Sequence, residues 1–86
     1  MIKIFILEDC PHCKNARRWI EELYLEEPIY RDIEIEYIDE IKHSEIANTY
    51  DYYLVPSIYL DEKKVHEGVA SKEIIENIFK QVKKIV

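Results

Sequence analysis

The sequence predicts an α/β fold in which elements follow in the order βαβαββα and build a four-stranded mixed sheet flanked by helices. Three observations lead there. Residues 2–7, "IKIFIL", are a short β-branched run with one polar member, the pattern of a strand covered on both faces. Ala16, Trp19, Ile20 and Leu23, and later Ile74, Ile75, Ile78, Phe79 and Val82, recur at helical spacing. Between them, "VPSIYLDEKKVHEG" splits into two β-prone halves around a polar turn. A strand, a helix and a strand in succession imply a parallel pair with a right-handed crossover. The later hairpin adds an antiparallel pair, and helices on both faces close the structure.

Each element has a local reason. Pro11 suits a first helical turn, where a missing N–H costs nothing, and Pro28 stops that helix. Arg17, Arg18, Glu21 and Glu22 lie between its apolar positions. In "RDIEIEYID", Ile33, Ile35 and Tyr37 alternate with acids, which puts Glu34 and Glu36 on the exposed side of a second strand. Ile46, Tyr50 and Tyr53 suggest a short second helix starting near residues 42–44. Pro56 fits only the first residue of the next strand, and Asp61 and Glu62 mark the tight turn of the hairpin. Ser71 is the expected N-cap of the last helix. Lys80, Lys83 and Lys84 suit the negative end of its dipole.

A chain of 86 residues fits one domain spanning 1–86, and 48% apolar residues is enough for a packed core. A net charge of −6 argues against a nucleic-acid partner, which requires a basic face. No apolar run approaches the length of a membrane span, and "MIKIFIL" is too short for a signal peptide. The expectation is a cytoplasmic, monomeric protein in a compartment that keeps thiols reduced.

The chemistry concentrates in "LEDCPHCKN", residues 7–15. Cys10 follows a strand and opens a helix, where unpaired backbone N–H groups and the positive dipole end favour a thiolate. Thiolate is the attacking form in disulfide exchange. Cys13 lies one turn further on the same side, placed to attack a mixed disulfide at Cys10. The pair reads as nucleophile and resolving thiol. Between them His12, when protonated, adds positive charge near the sulfur and makes a disulfide there more oxidising. Glu8 and Asp9 oppose it, each by on the order of 1 kcal/mol or less if solvated. The fixed helix terminus is expected to outweigh them. A metal site is the competing reading. Structural zinc usually takes four ligands, and beyond Cys10, His12 and Cys13 only His43 and His66 offer nitrogen. With no second cysteine pair, a redox dithiol is favoured over bound metal and over inert thiols.

"CPHC" after an N-terminal strand, "LVPSIYLDEKKVHEG" further on, and the βαβαββα order together resemble the glutaredoxin branch of the thioredoxin superfamily. The resemblance covers nearly the whole chain. It implies a thioredoxin-like fold, a cis Pro56 facing the cysteines beside Pro11, and a Val55 backbone that pairs with the bound disulfide substrate. The physics agrees: X–Pro bonds tolerate cis, the residue before proline is extended, and free extended backbone can receive a strand. The implied activity is that of a small thiol–disulfide oxidoreductase needing no cofactor beyond a redox-active Cys10–Cys13 disulfide. Its implied substrates are disulfides in proteins or small molecules.

The chain also departs from the family. His12 stands where glutaredoxins typically carry Tyr. CPHC is typical of periplasmic oxidases of the superfamily, whose large helical insertion is missing here. Glu8 and Asp9 occupy the region of a basic residue, Leu54 that of a Thr before Val-Pro, and "EGVAS" keeps one glycine, Gly68, with no following Asp. Ile4 stands where thioredoxins proper carry a buried acid. An acidic rim disfavours anionic glutathione, so the expected recharging partner is a protein reductase of the flavoenzyme kind. Two other functions use the same cysteines: a metal or iron–sulfur carrier, and a non-enzymatic redox sensor.

The remaining residues have structural readings. Trp19 is expected to pack against the core. Of Tyr50, Tyr52 and Tyr53, at least one belongs to the core and one could line the cleft. His43 and His66 read as surface residues. Lys14 and Arg17 read as a solvated helix face, with Lys14 near enough to favour a thiolate.

Overall fold

The computed structural model describes residues 1–84. Its elements are β1 (Ile2–Ile6), α1 (Pro11–Glu26), a 3-10 turn (Pro28–Tyr30), β2 (Ile35–Asp39), α2 (Ser44–Ala47), β3 (Ser57–Leu60), β4 (Lys63–Glu67) and α3 (Lys72–Lys83). The sheet order is β2-β1-β3-β4. β1 pairs parallel with β2, Ile4 opposite Tyr37, and antiparallel with β3, Ile4 opposite Ile58. The hairpin turns at Asp61 and Glu62, both with positive φ, at 50° and 70°. The expected thioredoxin-like α/β architecture, a four-stranded mixed sheet with helices on both faces, is the one observed.

Alternation along β1 divides the interior in two. Ile2, Ile4 and Ile6 join a core with Ala16, Ile20 and Leu23 of α1 and Ile75, Ile78 and Phe79 of α3. Trp19 packs against this core half-buried, as expected. Phe5 faces the other way and meets Ile38, Ala47 and Tyr59, with Tyr50 and Tyr52 packed around them. Ile38 therefore gives β2 a second apolar face, while Glu34 and Glu36 are exposed as predicted. Ser71 caps α3 by accepting the Ile74 N–H at 3.1 Å.

The second helix is shorter than its apolar spacing suggests. It makes a single turn, with Ala47 buried, while Ile46 is 40% exposed and Tyr53 90% exposed. The chain after it is irregular because Tyr50 and Tyr52, two residues apart, both place their rings on Phe5, at centroid distances of 4.8 and 4.9 Å. A helix would send those side chains to different faces, so aromatic packing decides the local conformation here.

Candidate active site

β1 delivers the chain to Leu7, and the Cys10 N–H bonds the Leu7 carbonyl at 3.2 Å, turning the backbone into α1. Cys10 is the N-cap of α1 and Pro11 its first residue. In place of the usual hydroxyl or carboxylate, the Cys10 Sγ accepts the N–H of Cys13 at 3.2 Å. Cys10 is half-buried, while Cys13 is 1% exposed. Burial first, and then its hydrogen bond to Cys10, push the Cys13 thiol up to about 12, with a hydrogen bond from the Leu7 backbone opposing the rise.

Across from the cysteines lies the loop leading into β3. The Val55–Pro56 peptide bond is cis, as the family resemblance implied, and the Cys10 thiol points at the Val55 carbonyl oxygen at 4.0 Å. Among the described residues, no backbone–backbone hydrogen bond engages Val55. The end of β4 holds this loop. Glu67 Oε2 accepts the N–H groups of Tyr53 at 2.6 Å and Leu54 at 2.9 Å, and Oε1 takes the Lys64 ammonium at 2.6 Å. Those partners, Lys64 foremost, lower the Glu67 carboxyl to about 2. The Gly68 N–H bonds the Pro56 carbonyl at 2.9 Å, and Ser57 Oγ bonds the Leu54 carbonyl. Gly68 has φ +91°, and a Cβ there would sit 3.3 Å from Leu54 Cδ1, so its conformation and the loop's approach both favour glycine.

The sequence-predicted residues do not all converge. Cys10, Cys13 and Val55 come together, with cis-Pro56 buried beside them. Pro11 and His12 are exposed on the first turn of α1, and His12 makes no hydrogen bond or ion pair among the described residues. Glu8 pairs with Lys42 at 3.3 Å, which offsets part of the acidic rim. His43 lies beside Glu45 at 3.6 Å, and His66 bonds the Val69 carbonyl at 2.9 Å. Among the described residues, no three His, Cys, Asp or Glu side chains group so as to hold a metal ion. Of the tyrosines, Tyr50 and Tyr52 pack the second core, and Tyr52 donates to Glu40 at 2.8 Å. Lys14 and Arg17 are exposed as expected, but Arg17 also lies over the Tyr37 ring, 4.5 Å from its centroid. Sequence reasoning missed Glu67; its only signal was an acid directly before the chain's one glycine.

Paired thiols at the start of the helix that follows the first strand, facing a cis-proline loop on this sheet order, define a member of the thioredoxin superfamily. A thioredoxin-domain family model matches residues 1–80, and the chain belongs to that family. Thioredoxin from Methanocaldococcus jannaschii is 31% identical over 80 residues, covering 93% of this chain and 92% of that protein. The solved structure of a thioredoxin point mutant from Halobacterium salinarum aligns with a TM-score of 0.72 over 99% of this chain and 75% of that one. At 19% identity it speaks for the fold alone. The superfamily expected from the sequence is thereby shown; its glutaredoxin branch is not. Among the described residues, no helix is long and apolar enough to cross a membrane.

Proposed function

We propose that this protein is a thiol–disulfide oxidoreductase working through its CPHC dithiol, with Cys10 as nucleophile and Cys13 as resolving thiol. One observation carries the assignment: Cys10 is accessible and accepts the Cys13 N–H at 3.2 Å, whereas Cys13 lies 1% exposed behind it. The Cys10 thiolate attacks one sulfur of a substrate disulfide. A mixed disulfide forms, and the other substrate sulfur leaves and takes a proton. Cys13 then gives up its proton and attacks Cys10 Sγ, closing Cys10–Cys13 and releasing the second substrate thiol. Two electrons pass to the substrate, and no further cofactor enters. The Val55 backbone, next to cis-Pro56 and with its carbonyl toward the Cys10 thiol, offers itself to a substrate segment, and Pro11 opens the helix beside the nucleophile. His12, two residues after the nucleophile and exposed on the first turn of α1, would favour the reduced form whenever it is protonated.

The recharging partner in this reading is a protein reductase of the flavoenzyme class, in the reducing environment of the cytoplasm. Supporting it, Glu8 and Asp9 are exposed in the turn into α1, beside Cys10. Trapping tests the assignment. Cys13→Ser is expected to accumulate a mixed disulfide, and Cys10→Ser to form none; the reverse pattern would exchange the two roles. Fast, saturable reduction of the oxidised protein by glutathione would overturn the choice of recharging partner.

A further inference from the structure

The chain just before Val55 is held by its backbone, because its side chains give little purchase: Tyr53 is 90% and Leu54 60% exposed. Glu67 Oε2 accepts the N–H groups of both residues, and the next residue, Gly68, gives its own N–H to the Pro56 carbonyl. The end of β4 therefore grips the loop on either side of Val55. The other oxygen of Glu67 takes the Lys64 ammonium, which also reaches the Asp51 carbonyl at 3.2 Å, further up the same loop. With both oxygens committed and its side chain 20% exposed, this carboxylate is directed at the loop rather than at solvent.

Fixing these peptide units aims Val55. Buried Ser57 draws the Leu54 carbonyl onto its hydroxyl. In a trans peptide the C=O and N–H point opposite ways, so the Val55 N–H is turned away from that bond. The Val55 carbonyl lies toward the Cys10 thiol at 4.0 Å. Neither group is bonded to other backbone among the described residues, so Val55 presents a donor and an acceptor to one extended residue of a partner. An ionised oxygen is a stronger acceptor for the two amides than a neutral one. A pairing edge kept in place before the partner arrives lowers the ordering cost of binding.

We propose that Glu67 is a positioning residue for peptide substrates: through the Tyr53 and Leu54 amides it sets the Val55 backbone that pairs with the chain around a substrate cysteine. It thereby favours protein disulfides over small disulfides that offer no main chain. The inference rests on the dithiol-exchange reading, and its chemistry is that exchange. Cys10 and Cys13 are oxidised to their disulfide, and the substrate disulfide is reduced to two thiols that take up the two protons the cysteines give up.

Single turnovers of the reduced protein with three disulfides test it. The probes are the disulfide of a blocked, uncharged pentapeptide with a central cysteine, the same peptide N-methylated at the amides around that cysteine, and bis(2-hydroxyethyl) disulfide. Closure of Cys10–Cys13 is timed by acid quench and mass spectrometry. Glu67→Gln is expected to lower the ratio of peptide to small-disulfide rate constants about tenfold, through a higher half-saturating peptide concentration and with little change in the limiting rate. The N-methylated peptide should react slowly with the wild-type protein and lose little more in the variant. Glu67→Asp keeps the charge but withdraws it by one methylene; it should move the ratio the same way, and it replaces Glu67→Gln if a thermal melt shows that variant unfolded. An unchanged ratio in the folded variant, equal rates for the plain and N-methylated peptides in the wild-type protein, or a fall in limiting rate with every probe alike would overturn this role and leave dithiol exchange standing. No closure with any probe in the wild-type protein would overturn dithiol exchange itself, and the role of Glu67 with it.

Discussion

Native alkylation of the two cysteines puts their inequality to a quantitative test. Cys13 is raised from an ordinary 9.0 to about 12, with burial the largest cause. At pH 8 a thiol of the ordinary kind is about 10% thiolate, whereas one near 12 is about 0.01%, a roughly thousandfold difference. A more basic thiolate is intrinsically more nucleophilic. A Brønsted slope of about 0.4–0.5 over three units returns roughly 15- to 30-fold. The net expectation is that iodoacetamide labels Cys13 at least about 30-fold more slowly in the folded protein than in the chain unfolded in urea. Packing over the sulfur slows it further. The pH profile is more diagnostic than the rate. In the folded protein, Cys13 labelling should keep rising about tenfold per pH unit past pH 9, where the unfolded chain levels off. Peptide mapping by mass spectrometry after timed quenching separates Cys10 from Cys13. A Cys13 profile that levels off below pH 10, or equal labelling of both cysteines at pH 8, would refute the argument. Linkage runs the same way: the native state keeps a proton that the unfolded chain releases, so this group's contribution is intact below about pH 9 and declines toward pH 12.

Three further variants have defined expected outcomes. Glu67→Gln should speed hydrogen exchange at the Tyr53 and Leu54 amides, because the neutral amide is a weaker acceptor for both; unchanged protection there would separate Glu67 from the loop. Since the folded Glu67 carboxyl is lowered from 4.5 to about 2, its stabilisation is present above about pH 4.5 and lost as pH falls toward 2. Acid unfolding curves of Glu67→Gln should lack that component. Ser71→Ala removes the N-cap bond to Ile74 and should cost about 1 kcal/mol, lowering Tm by roughly 4–8 °C in a thermal melt; a shift under about 1 °C would mean that solvent replaces the cap. His12→Tyr should lower the reduction potential in a redox titration, since the cation favours the reduced form, and an unchanged potential would place the imidazole's charge out of reach of the sulfur.

The strands and the two long helices were legible because burial writes a period into the sequence. Ile2, Ile4 and Ile6 occupy one face of β1, and Ile75, Ile78 and Phe79 one stripe of α3. The meeting of Cys10 and Cys13 at the start of α1, and the cis bond at Pro56, were legible because these residue types in this order are uncommon. The stretch between Lys42 and Leu54 was not. Its apolar residues fit a helical stripe, yet Tyr50 and Tyr52 are claimed by Phe5 and Tyr59, which come from different strands. Such a cluster is a tertiary contact and leaves no local period. Glu67 was invisible for the same reason. It reads as one acid among 18, and its role appears only when the hairpin brings it against the Tyr53 and Leu54 amides. Arg17 looked like solvated surface because nothing in helix spacing shows Tyr37 beneath it.

In the proposed function the helix cap is also the redox group, and that joins two equilibria. The bond from the Cys13 N–H to the Cys10 sulfur helps hold the start of α1, and its acceptor is strongest when that sulfur carries charge. Closing a Cys10–Cys13 disulfide spends that charge. In a thermodynamic cycle linking folded and unfolded, reduced and oxidised chains, whatever steadies the helix start in the dithiol form must reappear as a preference for electrons. A helix cap is typically worth about 1 kcal/mol. On a two-electron couple that corresponds to about 20 mV of potential. Melting temperature and redox poise are then two readings of one hydrogen bond, and a change at the helix start made for the sake of one is felt in the other.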